Sequence, residues 1–83
     1  MVALRDRILD LRRTVQDGTI LDWLDLSQLV PEGTGSLRVE TLRNHWHCSQ
    51  PAISRRITAC ADAGLISTRR GWGRYKIVWI EQP

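Results

Sequence analysis

Arginine is the side chain through which this sequence can do most chemistry. Eleven of its twelve cationic residues are arginine, Lys76 being the exception. The planar guanidinium fork matches phosphate and guanine better than an ammonium does. The charges are unevenly placed. Residues 1–35 hold four cations (Arg5, Arg7, Arg12, Arg13) against six acids (Asp6, Asp10, Asp17, Asp22, Asp25, Glu32). Residues 36–83 hold eight (Arg38, Arg43, Arg55, Arg56, Arg69, Arg70, Arg74, Lys76) against three (Glu40, Asp62, Glu81). The net charge of +3 is therefore −2 in the first part and +5 in the second. Attraction to a polyanion acts from the second part.

Other reactive groups are sparse. A metal site needs about four ligands, and the histidine and cysteine set is His45, His47, Cys48 and Cys60. His45 and His47 are two apart, which on one helix points them in different directions. No metal or other cofactor is expected, and the two cysteines read as structural thiols. There is no nucleophile–base pair, phosphate-cradling glycine loop or paired carboxylate in a pocket-forming context, so the chain reads as a non-enzyme.

The elements that position the arginines follow from periodicity. Leu4, Ile8, Leu11 and Val15 make one narrow stripe on a helix from about Val2 to Asp17. Gly18 is expected to stop it, and Thr19 to cap the next helix, with Asp22 three residues on. That helix, about Ile20 to Leu29, is apolar on more than one face and ends before Pro31. PEGTG follows as a loop, and 36–38 is a candidate brief strand. Val39, Leu42 and Trp46 share one side of a third helix. His47-Cys48 makes a turn, Ser49 is a candidate N-cap, and Pro51 falls in the first turn of a helix running to about Ala63. Ile53, Ile57, Cys60 and Ala61 face inward, and Gly64 ends it. The period then changes: 65–69 and 75–80 read as strands around the glycine-bearing hairpin loop Arg70-Gly71-Trp72-Gly73-Arg74.

Two short helices joined by a tight turn and followed by a basic hairpin form a DNA-reading unit. The segment Val39 to Ile77 resembles the winged helix-turn-helix repressors, most closely the ArsR and MarR families. The resemblance centres on Ser49-Gln50-Pro51-Ala52-Ile53-Ser54-Arg55-Arg56-Ile57, followed by Ala63-Gly64-Leu65-Ile66. It implies that this run is a recognition helix and its exit into a wing. The implied fold is α+β: a winged helix-turn-helix with a three-helix core, a C-terminal β-hairpin wing and an extra N-terminal helix. Residues 1–18 would be that extra helix and 19–83 the winged domain. Against the family pattern, Cys60 stands for a core leucine, Cys48 for an apolar turn residue, His47 for a glycine, which requires positive φ, and Arg43 for a small alanine.

With Ile53, Ile57 and Cys60 inward, Gln50, Ser54, Arg55 and Thr58 fall on the outer face or its flank. Gln suits adenine and Arg suits guanine in the major groove. Ser49 and the free N–H groups at the helix start suit a phosphate. Arg56 points sideways, toward backbone contact. In the wing, Arg69, Arg70, Arg74 and Lys76 suit phosphates or a narrow minor groove. Trp72 at the tip has three readings: folding back on Tyr75 or Trp46, packing on sugars in the groove, or touching a protein.

The 83 residues make one domain, without a run of about 18 apolar residues for a membrane and without a signal peptide at the N-terminus. The expected address is cytoplasmic and nucleoid-associated. The expected function is sequence-specific binding of double-stranded DNA by a transcriptional regulator. It would act as a homodimer, because one short helix rarely suffices for specificity. The stripe Leu4–Ile8–Leu11–Val15, joined by Trp79 and Ile80, is the expected seam, the alternative being that it packs on its own domain. No membrane or small-molecule ligand is expected. Two rival readings are a winged helix used for protein contact (an adaptor or anti-repressor working through Trp72) and an RNA or single-strand binder with Trp72 stacked on a base.

Overall fold

The structure, a computed structural model, describes residues 3–30 and 34–83. Four helices and three strands follow in the order α1 (Leu4–Leu11), α2 (Asp17–Leu29), β1 (Thr34–Arg38), α3 (Val39–Trp46), α4 (Gln50–Asp62), β2 (Ile66–Gly71) and β3 (Arg74–Trp79). The class is α+β. The strands form one antiparallel sheet in the order β1-β3-β2, so the first strand pairs with the last. Thr34 stands opposite Val78 at one end of the β1–β3 ladder, and Arg38 opposite Arg74 at the other.

The sheet carries its apolar side chains on one face. Leu37, Ile66, Tyr75 and Ile77 are buried, and the helices supply Leu11, Ile20, Trp23, Leu26, Val39, Leu42, Trp46, Ile53, Ile57 and Cys60 to the same core. The expected inward positions of α3 and α4 are the buried ones. Gly64, at φ 77°, ends α4, and the Leu65 N–H returns to the Cys60 carbonyl at 3.1 Å.

The expected boundaries shift in several places. The start of the first helix at Val2 and the loop residues 31–33 lie outside the described residues. α1 ends at Leu11 rather than Asp17: the N–H groups of Thr14 and Val15 both turn back to the Leu11 carbonyl. Val15 thus drops off the stripe. Gly18 does not stop a helix; it sits in the first turn of α2, whose N-cap is Gln16 in an extended conformation (φ −64°, ψ 145°). Thr19 is accordingly inside the helix, and the expected cap with Asp22 does not form. Asp17 makes the earlier start favourable by placing a carboxylate in the first turn, against the positive end of the helix dipole. The candidate strand 36–38 is two residues longer on its N-terminal side, because β3 offers a partner to the whole segment.

The hairpin is tighter than its five-residue loop predicts. Gly71 pairs with Arg74, which leaves Trp72 and Gly73 as the turn. Gly73 holds φ 61°, a conformation that glycine adopts without a Cβ penalty. Arg70 and Arg74 therefore belong to strands. The far end of the chain is tied down by tryptophans. The Trp23 Nε1–H donates to the Glu81 carbonyl at 2.8 Å, and the Trp79 Nε1–H to the Val30 carbonyl at 2.9 Å. No helix among the described residues is long and apolar enough to cross a membrane.

Candidate nucleic-acid interface

α4 begins where His47 turns the chain. His47 lies at φ 51°, ψ 46°, the left-handed conformation expected of the position, and its N–H closes on the Arg43 carbonyl at 2.8 Å. Cys48 is half-buried beneath the turn. Ser49 occupies the N-cap position in an extended conformation, but its side chain makes no capping hydrogen bond. The first-turn N–H groups of α4 are thus left without that partner, and Pro51 removes one donor from the set.

From this start the helix displays the expected outer face. Gln50, Arg55 and Thr58 are exposed and Ser54 is half-buried, while Ile53, Ile57 and Cys60 anchor the opposite side. Pro51, Ser54, Arg55, Thr58, Ala59 and Asp62 line one shallow concavity along this face. Arg56 departs from the group. Its guanidinium carbon lies 5.1 Å from the centre of the Trp46 ring, and Nη1 is 3.6 Å from Asp22 Oδ1. Trp46 in turn donates its indole N–H to Asp25 at 3.2 Å. Arg56 is thereby held on the protein, linking α4 to α3 and α2.

The hairpin separates its cations in the same way. Arg69, Arg74 and Lys76 are exposed. Arg70 folds onto the ring of Tyr75: Nη1 donates to the phenolic oxygen at 2.7 Å and the guanidinium carbon lies 4.7 Å from the ring centre. Trp72 is wholly exposed, at a relative exposure of 102%. Its reading as a ring folded back on Tyr75 or Trp46 is overturned, since arginines occupy both rings: Arg70 covers Tyr75 and Arg56 covers Trp46. A two-residue turn also leaves no chain with which to fold back.

Two residues absent from the sequence-derived site join it. Arg38, at the end of β1, and Arg43 of α3 line one open cleft of about 430 Å³ with Glu40, Gln50, Arg70 and Gly73. The cleft lies where α3 begins, and the Val39 N–H donates to the Gly73 carbonyl at 2.8 Å, tying that start to the hairpin. No sequence signal placed Arg38 here, because its position depends on a strand pairing 36 residues long-range.

Electrostatically the two parts of the chain differ. The ion pairs of the described residues engage Arg7, Arg12 and Arg56. Arg38, Arg43, Arg55, Arg69, Arg74 and Lys76 make none among the described residues. Cys60 is buried, its S–H directed at the Thr19 carbonyl at 3.7 Å. Burial, and then the nearby Asp22 charge, push its thiol up to about 12, which leaves it protonated and unreactive at neutral pH. Comparison with protein-family models and with curated protein sequences finds no match for this chain.

Proposed function

We propose that this chain is a winged helix-turn-helix protein that binds double-stranded DNA as a transcriptional regulator. In this reading α3, the His47 turn and α4 are the helix-turn-helix, and β2 and β3 are the wing. The single observation that carries it is the outward Gln50–Ser54–Arg55–Thr58 face of α4, standing beside a cluster of cations that make no ion pair among the described residues. Such a face has donors suited to base edges and no role in the core. Arg55 is the base-reading candidate, and Ser49 with the α4 start meets a phosphate. Arg69, Arg74 and Lys76 hold the backbone. Arg56 and Arg70 act one step back, by fixing the helix and the hairpin in place.

The protein binds as a homodimer, since two copies a helical turn apart supply the specificity that one short helix lacks. Packing corrects the expected seam: Leu11 lies in the core, and Ile8, Val15 and Trp79 pack against it. Leu4 and Ile80 of that set remain exposed and, with Leu9 and Leu21, provide apolar surface for a seam. The reading requires no catalysis, metal or cofactor.

The test is a titration of duplex DNA at two salt concentrations with wild type and Arg55→Ala. Wild-type binding weakens steeply with salt. Arg55→Ala loses about 1–3 kcal/mol on a preferred sequence and little on random DNA, as removal of a base contact requires. The wholly exposed Trp72 favours a second reading, a protein-contact module. Wild type that ignores duplex DNA at low salt while retaining its fold selects that reading and removes the first.

A further inference from the structure

Trp72 is the largest exposed apolar side chain among the described residues, and it stands apart from the others. Val78 and Ile80 lie at the end of β3 away from the turn. The Arg7–Glu81 pair holds α1, with exposed Leu4 and Leu9, at that same end. Leu21 lines a groove with Ile8 of α1 and Leu24. Trp72 instead shares its end of the sheet with exposed Arg38, Arg69 and Arg74. A ring set among cations, with no exposed apolar side chain beside it, is poorly suited to a protein pocket, where anchors sit inside a water-excluding rim of contacts. It suits nucleobases, whose faces stack on aromatic rings while cations meet the phosphates around them.

The hairpin tip presents this ring on a narrow, fixed support. Gly73 needs its glycine for φ 61°, whereas Gly71 holds no positive φ. A Cβ at Gly71 would find its nearest atom, the Arg74 carbonyl oxygen, at 3.9 Å. The fold therefore has room for a side chain there, and its absence leaves the flank of the ring bare to an approaching surface. The support is stiff. Arg70 is held on Tyr75 behind the turn, and the Gly73 carbonyl accepts from the Val39 N–H at 2.8 Å, tying the turn to α3. A minor groove about 6 Å wide admits a ring edge-on. A rigid apolar side chain driven between two base pairs unstacks them and kinks the duplex.

We propose that this protein kinks DNA: Trp72 inserts between adjacent base pairs from the minor groove and bends the duplex beside the segment met by α4. The inference rests on the DNA reading above, and it concerns deformation of the duplex rather than backbone contact or base reading. Unstacking a step has a cost, which removal of the indole from water offsets. That cost is least where the step is flexible or already mispaired. Pyrimidine–purine steps are therefore the expected points of insertion.

The experiment compares wild type, Trp72→Phe and Trp72→Ala on short duplexes labelled at both ends. Energy transfer between the labels at saturating protein reads the bend, and anisotropy reads affinity for a matched duplex and for one with a single mismatch. Trp72 is wholly exposed, so the three proteins share one melting midpoint, which serves as the folding control. Wild type raises energy transfer and prefers the mismatched duplex by about tenfold. Trp72→Ala loses both effects and Trp72→Phe keeps part of each. The log K against log[salt] slope is the same in all three, because no charge has changed. Trp72→Ala that bends and discriminates as wild type does overturns the inference and leaves the DNA reading intact. Wild type that binds duplex without bending it has the same consequence. Wild type that fails to bind duplex removes the DNA reading and the inference with it. Tighter binding to single strands than to either duplex, lost in Trp72→Ala, assigns the ring to free bases and overturns the wedge.

Discussion

His47 illustrates how a single residue carries both a cost and a role. A left-handed conformation costs a non-glycine residue on the order of 1–2 kcal/mol, and His47 adopts it at φ 51° to turn the chain from α3 into α4. Part of that cost is recovered by glycine, whose greater freedom in the unfolded chain offsets the remainder. We expect His47→Gly to raise stability by about 0.5–1 kcal/mol, measured by urea unfolding, with duplex binding retained. A loss of stability would mean that the imidazole contributes contacts exceeding the backbone strain. Cys48 is half-buried, whereas Cys60 is wholly enclosed, and its burial together with the Asp22 charge holds its thiol protonated.

α1 is a short element of eight residues, below the length at which an isolated helix is stable in water. Its hold on the domain comes from Leu11 in the core and from Arg7. The Arg7 guanidinium meets Glu81 with two donors, Nε–H to Oε2 and Nη2–H to Oε1, the latter at 2.7 Å, while Nη1–H donates to Asp10 at 2.7 Å. Because the Arg7 hydrogen bonds favour its charged form, Glu81 titrates below the ordinary glutamate range. A carboxyl whose folded value is depressed contributes stability above its unfolded value, and loses it as pH falls toward the folded one. Wild type should therefore lose stability as pH drops from about 5 to about 3, and Glu81→Gln should flatten that part of the profile. Urea midpoints across this range check the prediction. An unchanged acid limb in Glu81→Gln would remove the pair as a contributor.

Across the whole molecule, neighbouring arginines divide between binding and holding. Arg55 is exposed on α4 and makes no ion pair among the described residues, whereas Arg56 joins three helices through Trp46 and Asp22. Burial raises the Asp22 value, the Asp25 charge adds to this, and Arg56 opposes it. A carboxyl with a raised folded value costs stability as pH rises through that value. Arg56→Ala removes the opposing cation, so its penalty should be larger at neutral than at acid pH. We expect a loss of about 1 kcal/mol at neutral pH, the scale of a cation–π contact at a half-buried site. Denaturant unfolding at the two pH values measures it. Arg55→Ala should leave the unfolding free energy within about 0.5 kcal/mol of wild type, as surface substitutions do. A reversal of this order would place Arg55, not Arg56, in the scaffold.

The sequence by itself determined the inward faces of α3 and α4, the left-handed turn at His47, the end of α4 at Gly64 and the outward Gln50, Arg55 and Thr58. All are local properties of periodicity and backbone preference, which short stretches of chain carry without help. The start of α2 was less legible, because Gly18 and Thr19 favour a helix boundary locally while Asp17 and the packed core favour an earlier one. Tertiary structure alone decided which arginines are engaged and which are free. Arg56 and Arg70 were captured by Trp46 and Tyr75, and Trp72 was left exposed because both rings were taken. It also decided that β1 pairs with β3, which brings Arg38 beside Arg74 and turns a basic hairpin into a basic face. Side-chain pairing between distant segments depends on how the strands come into register, and no local stretch of the chain specifies that register.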